Sequence, residues 1–124
     1  FGFYQEGVLN LYLRGQEGSA RIKRIMNYFQ NLEITEIAGK KVERTEDYDL
    51  SIAKQNGQVE KLTLPKSLVV KYIFDDGGWF VLRPSGTEPK LKVYISIVCK
   101  TKEESVALEE TLKTEVSKII DEVK

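Results

Sequence analysis

The eight residues RPSGTEPK at positions 83–90 combine groups that can bind an oxyanion. Gly86 lets a ligand approach the main chain closely, and successive backbone N–H groups in a turn can point into one concavity. Ser85 and Thr87 add hydroxyl donors on either side of that glycine. The segment therefore indicates a site for phosphate or a similar anion.

Two cations frame the segment. Arg83 can offer a two-pronged guanidinium fork and Lys90 a mobile point charge. Glu88 carries the opposite charge, so we expect it to point away from a bound anion and to orient a cation or satisfy loop amides; a contact with a substrate hydroxyl is the alternative. The whole segment could instead be a hairpin connection punctuated by prolines, with its charges solvated.

Charge and composition exclude several functions. The chain has 19 Lys and Arg against 19 Asp and Glu, so no global field attracts nucleic acid or a membrane surface. It contains no histidine, which rules out histidine-based acid–base catalysis and His-ligated zinc. No apolar run approaches the roughly 20 residues of a membrane span. The single cysteine, Cys99, favours a reducing compartment, and we expect the cytoplasm.

A length of 124 residues fits one domain with a single core. The chain opens on Phe1 and its only methionine is Met26, so we expect a piece of a longer protein. Residues 1–7 are aromatic and predict an irregular interdomain segment. Residues 8–124 then form the domain.

Alternating apolar residues flank the anion-binding segment. Residues 68–74, 79–82 and 91–99 each place apolar side chains at every second position, which predicts three consecutive antiparallel strands. The DDGG sequence at 75–78 predicts a tight turn between the first two. The anion-binding segment then connects the second strand to the third.

Two amphipathic helices are predicted. Apolar residues recur at helical spacing from about Glu17 to Asn31, and a second stripe follows Thr101, which with Glu104 forms a capping box. Residues 8–13 are predicted to form a first strand. Residues 34–46 are predicted to form a second strand, which either has one solvent-exposed face or lies at an edge of the sheet. Residues 47–66 are predicted to form a long loop or a loose hairpin. The order is β-α-β-β-β-β-α, an α+β fold in which two helices cover one face of an antiparallel sheet.

Other residues with potential chemistry have simpler interpretations. Adjacent Asp75 and Asp76 suit turn formation better than metal binding, because no third oxygen ligand is evident. Cys99 is interpreted as a small buried hydrophobe. Trp79 is expected to pack on its neighbours, with a sugar platform as the alternative.

The string RPSGTEPKLKVYI resembles the C-terminal domain of the α-D-phosphohexomutase superfamily, which includes phosphoglucomutase and phosphomannomutase. The sequences LPKS, DDGGWF and GQEGSARI and the final helix extend the likeness, most closely to the phosphoglucomutase branch. The resemblance implies a sheet with two helices on one face, arranged as in the TATA-box-binding protein.

Enzymes of this family surround a cleft with four domains, and a phosphoserine exchanges phosphoryl groups with a hexose phosphate. The resemblance implies that Arg83, Ser85, Gly86 and Thr87 bind the substrate phosphate distant from that phosphoserine, with Lys90 as an electrostatic helper. The expected partners are sister domains of the same chain and a glucose or mannose 1- or 6-phosphate.

The same resemblance implies Mg²⁺ and a hexose 1,6-bisphosphate activator for the full-length parent. The catalytic serine motif and the magnesium-binding aspartate loop do not occur in these residues, so we expect the fragment to bind no cofactor and to be inactive alone. Functions of another class remain open: a nucleic-acid-binding module or a protein-docking module without a catalytic role.

Overall fold

The computed structural model describes residues 3–13, 17–55, 57–85 and 89–123. Within them the chain forms eight strands and two helices: β1 (Phe3–Tyr12), α1 (Gly18–Asn31), β2 (Glu36–Ile37), β3 (Lys40–Asp47), β4 (Ile52–Gln55), β5 (Gln58–Lys61), β6 (Val70–Phe74), β7 (Trp79–Pro84), β8 (Lys90–Cys99) and α2 (Lys102–Glu122). The sheet order is β1-β8-β7-β6-β3-β4-β5, with β2 paired to β3, and all pairs are antiparallel. The predicted α+β class is confirmed.

The core forms where the three predicted strands meet both helices. Alternate side chains of β6, β7 and β8 face the helices, and all of these except Pro84 and Cys99 at the strand ends are buried. The apolar faces of α1 and α2 pack against these side chains in one cluster, so both helices cover the same face of the sheet. The buried residues are Ile22, Ile25, Met26, Phe29, Ile37, Val70, Tyr72, Phe74, Phe80, Leu82, Leu91, Val93, Ile95, Ile97, Leu112, Val116, Ile120 and Val123.

A buried polar contact helps to fix α1 on the sheet. Tyr72 on β6 stacks on Phe80 with ring centroids 4.7 Å apart, and its hydroxyl donates to the Phe29 carbonyl at 3.0 Å. Burial raises the pKa of this phenol, and the nearby Asp47 adds to the shift.

At α2, Thr101 Oγ1 accepts a hydrogen bond from the Glu104 amide at 3.1 Å, as the capping pattern predicts.

The first strand is longer than its sequence predicts. Irregular structure was expected before Val8, and this is wrong for residues 3–7, which continue β1 and pair with β8 from Phe3↔Cys99 onwards. The inward positions Gln5 and Gly7 conceal the alternation because they face Glu109 of α2 instead of apolar side chains. The role of residues 1–7 as an interdomain segment stays a prediction.

The predicted order has three strands too few. Residues 34–46 were expected to form one strand but form β2 and most of β3, and β3 is internal rather than at an edge because it pairs with both β4 and β6. Residues 47–66 contain the β4–β5 hairpin, the second of the two predicted alternatives. Cys99 is half-buried instead of buried, because it ends β8 at the margin of the core.

The connection between β2 and β3 is a tight turn of two residues. Ile37 pairs with Lys40, and the residues between them, Ala38 and Gly39, have φ of 54° and 74°. Positive φ at both central positions defines a type I′ turn, which favours Asn followed by Gly. Ala38 is therefore in a conformation that its side chain disfavours.

Ala38→Asn should raise the free energy of unfolding by about 0.5 to 1 kcal/mol, since asparagine tolerates this conformation. Urea unfolding of the two proteins measures the difference. Ala38→Val is the matched control and should be destabilising, because a β-branched side chain is strained at positive φ. A less stable asparagine variant would contradict the assigned turn.

A charged network on the helix-free face joins β3 to β5 through Glu60 and to β4 through Gln55, whose Oε1 accepts from Arg44 Nη1 at 3.1 Å. Arg44 Nε lies 2.9 Å from Glu46 Oε2 and its Nη2 lies 3.2 Å from Glu60 Oε1, while Tyr48 donates to Glu46 at 2.7 Å. Burial opposes ionisation of Glu46, but the hydrogen bonds from Tyr48 and Arg44 outweigh it and lower its pKa. Burial and the contact with Glu46 raise the pKa of Tyr48 to about 12.

Glu46→Gln should cost about 1 kcal/mol of stability at pH 7, because it removes the charge from these hydrogen bonds. Since the pKa of Glu46 is lowered on folding, its contribution is present above the ordinary value of 4.5 and is lost as the pH falls through the folded value. The difference from wild type should therefore shrink at pH 3. Urea unfolding at both pH values tests this, with Glu36→Gln, an exposed carboxylate of β2, as the control. An undiminished difference at pH 3 would refute the assignment.

Candidate phosphate-binding site

The predicted anion-binding segment lies at one end of β7 and β8, two adjacent internal strands of the sheet. The pairs Arg83↔Lys92 and Pro84↔Leu91 continue the β7–β8 ladder to its last residues, and the Ser85 amide donates to the Lys90 carbonyl at 2.8 Å. The ladder therefore holds both arms of the turn. Three predicted site residues, Gly86, Thr87 and Glu88, lie outside the residues that the structure describes.

Arg83 and Lys92 form an unusual pair of like charges. They are direct cross-strand neighbours, so their Cβ atoms lie about 5 Å apart on the helix-free face of the sheet. Arg83 is exposed and Lys92 half-buried, and within the described part of the chain neither side chain has a hydrogen bond or an ion pair. Like charges in this position repel each other, and an anion bound between them would remove that repulsion.

Sequence reasoning predicted Arg83 as a site residue and missed Lys92. The alternation along β8 placed Lys92 on the outer face, which suggested only a solvated side chain. The signal that could have found it is the turn length: closing the turn between Ser85 and Lys90 sets Lys92 opposite Arg83.

Lys90 lies against the end of the first strand. It pairs directly with Tyr12, and its Nζ lies 4.8 Å from the centre of the Tyr12 ring. The contact continues one residue beyond this pair, because the Leu13 amide donates a hydrogen bond to the Pro89 carbonyl at 2.8 Å. A methyl group at Gly18 would overlap the Leu13 carbonyl and lie 2.9 Å from Pro89 Cβ, so the start of α1 packs closely on this arm.

A cavity of about 370 Å³ adjoins Arg83 on the helix-free face. Trp79 and Val81 of β7 form one side with Arg83, and Tyr94 of β8 lies opposite Val81. Trp79 is half-buried and has Lys71 Nζ 4.9 Å from its ring centre, so it packs on a neighbour as predicted and also faces the cavity. The alternative role as a sugar platform stays untested.

Asp76 takes part in the turn between β6 and β7. Its carboxylate accepts a hydrogen bond from the Gly78 amide at 2.9 Å and a second one from the Lys40 ammonium group. The hydrogen bond between Lys40 and Asp76 raises the pKa of Lys40. Across the described ranges, no group of three or more Asp, Glu, Cys or His side chains could hold a metal ion. Over the same residues, neither helix is sufficiently long and apolar to cross a membrane.

The described geometry brings three cations and one hydroxyl group to the strand ends. Arg83 and Lys92 supply positive charge at fixed register, Lys90 adds a third cation, and Ser85 contributes from the start of the turn. No general base lies among these groups, so their chemistry is charge-assisted hydrogen bonding.

Comparison with known proteins identifies the relatives of this chain. The family described as phosphoglucomutase/phosphomannomutase, C-terminal domain, matches residues 34–119. The phosphoglucomutase of Staphylococcus saprophyticus is 39% identical over 98 residues, which cover 77% of this chain and 18% of that protein. Those of Staphylococcus epidermidis and Staphylococcus aureus strain MRSA252 are 39% identical over 100 residues, covering 79% of this chain and 18% of each.

The chain thus spans about 18% of the length of these curated relatives. The matched residues include β7, β8 and the turn between them, and they extend from before β2 into α2. The match covers more than half of the chain and includes the segment on which the sequence resemblance rests. The chain belongs to the phosphoglucomutase/phosphomannomutase C-terminal domain family.

Proposed function

We propose that this domain binds the phosphate group of a hexose phosphate at the turn between β7 and β8. The observation that carries the proposal is the cross-strand pair of Arg83 and Lys92, two cations without a carboxylate partner among the described residues. Side by side, they lower the stability of the sheet. A bound phosphate dianion would compensate both charges at once.

Each group has a distinct role in the proposed site. The Arg83 fork binds two phosphate oxygens, while Lys92 and Lys90 contribute charge from β8. Ser85, Gly86 and Thr87 donate hydrogen bonds from the turn. For Gly86 and Thr87 this role rests on the family resemblance alone, and a supporting role for Glu88 rests only on its negative charge.

In a longer protein, this domain would act as part of a mutase that interconverts hexose 1- and 6-phosphates. The relatives that support this step are named phosphoglucomutases. The domain would hold the phosphate distant from a phosphoserine while sister domains supply that serine, and it would do so in the cytoplasm. Mg²⁺ would neutralise charge on the transferring phosphoryl group and a hexose 1,6-bisphosphate would act as activator; neither is assigned to residues of this chain.

Inorganic phosphate should bind the 124-residue chain with a dissociation constant near 1 mM, about 4 kcal/mol, because the site is open to solvent. Arg83→Ala should weaken binding at least tenfold, since a charge-assisted hydrogen bond to an anion contributes about 1.5 to 3 kcal/mol. Lys92→Ala should also weaken it, by a smaller factor. Amide chemical shifts followed during a phosphate titration measure each dissociation constant.

Two controls make this titration specific. Lys61→Ala removes an exposed cation from β5, at the opposite edge of the sheet, and should leave phosphate binding unchanged. Arg83→Ala should alter stability by no more than about 0.5 kcal/mol, because Arg83 is exposed. Shifts spread over the helices, or none up to tens of millimolar phosphate, would refute the proposed site.

The isolated chain should not convert glucose 1-phosphate to glucose 6-phosphate, with or without Mg²⁺ and glucose 1,6-bisphosphate. The reason is that the residues proposed to bind phosphate act through charge and hydrogen bonds, and none of them is an activated nucleophile that could accept a phosphoryl group. A coupled assay for glucose 6-phosphate measures this against a mock purification. Activity that follows the protein through further chromatography would contradict the expectation.

A further inference from the structure

We propose that Tyr12 is a positioning residue that holds the Lys90 ammonium group at the phosphate site. The inference rests on the proposed function, because Lys90 is one of the proposed phosphate-binding residues. It adds a residue from outside the turn to that site. The contact that carries it is the 4.8 Å approach of Lys90 Nζ to the centre of the Tyr12 ring.

The contact has the geometry of a cation–π interaction. An ammonium group within about 6 Å of an aromatic ring centre is attracted by the negative face of the ring. Lysine carries its charge on a flexible four-carbon stem and loses rotamer freedom when that charge is fixed. A ring that holds the ammonium group before the ligand arrives reduces this loss on binding.

Tyr12 itself is held in a fixed position relative to the turn. It is paired with Lys90 in the β1–β8 ladder, and the following residue, Leu13, is hydrogen-bonded to Pro89. Gly18 at the start of α1 packs against Leu13 and Pro89, which closes this corner from the other side. The backbone of Tyr12 is therefore anchored to the arm of the turn that carries Lys90.

Burial does not explain the aromatic ring at this position. Tyr12 is 64% exposed and contributes nothing to the core, so its ring is not needed to fill the interior. Tyr4 lies on the same face of the same strand and is 75% exposed, but the structure places no cation over its ring. The two tyrosines differ in their contact with Lys90, which makes Tyr4 a matched control.

The experiment measures phosphate affinity of the 124-residue chain for Tyr12→Leu, Tyr12→Phe and Tyr4→Leu, each with Lys90 and with Lys90→Met. Inorganic phosphate is the probe, and amide chemical shifts give the dissociation constants. Tyr12→Leu should weaken binding measurably but by no more than about fivefold, because the energy of an exposed cation–π contact limits what holding the ammonium group in place can contribute. Tyr12→Phe, which keeps the ring, and Tyr4→Leu should stay near the wild-type value.

The Lys90→Met background separates positioning from a structural role. If Tyr12 acts through Lys90, then Tyr12→Leu should have no further effect once that ammonium group is absent. An equal loss in both backgrounds, or no loss in either, would overturn the inference. Tyr12→Phe as weak as Tyr12→Leu would overturn it too, because the phenylalanine ring keeps the interaction.

Failure of the inference can be told apart from failure of the proposed function. If Arg83→Ala abolishes binding while Lys90→Met has no effect, the phosphate site stands and the positioning role of Tyr12 is refuted. If the wild-type chain binds no phosphate, the proposed site and the inference are refuted together.

Discussion

The alternation of side chains along β7 and β8 determines both the core and the candidate site. Phe80, Leu82 and Leu91 are buried, so their neighbours Arg83 and Lys92 must lie on the opposite, helix-free face. A slip of one residue would move the apolar set into solvent and the cations into the core, at a prohibitive cost. The register that buries the core therefore also sets Arg83 opposite Lys92.

The ends of several elements add to this constraint. The ladder between β1 and β8 extends to Tyr12 and Lys90, and the β7–β8 ladder is closed by Ser85 and Lys90. Lys90 therefore belongs to both ladders at once. Gly18 lets α1 begin against Pro89, so a helix, an edge strand and a central strand meet at one arm of the turn. These backbone contacts hold the Pro89–Lys90 arm of the turn in place, so no residue of the candidate site has to pack in the core.

The sequence was informative where one face of an element is apolar. The strands before and after the turn and both helices were predicted closely, because their buried side chains recur at regular spacing. In β1 that spacing is hidden by Gly7, which faces Glu109. In β5 all four residues are exposed, so backbone pairing with β4 and the Arg44–Glu60 contact hold it without an apolar pattern. Of the site, Arg83 and Ser85 could be predicted by type, but Lys92 required the register.

The distribution of ion pairs explains how a chain of zero net charge can hold a positive site. Carboxylates on other parts of the sheet and on α2 pair with their own cations, as in Lys40–Asp76, Arg44–Glu46 and Lys113–Glu109. Arg83 and Lys92 have no such partner among the described residues, so no described carboxylate is paired with either charge. At physiological salt the field of these two charges decays over about 8 Å. An anion would therefore have to come within this distance of the strand ends to interact with the two charges.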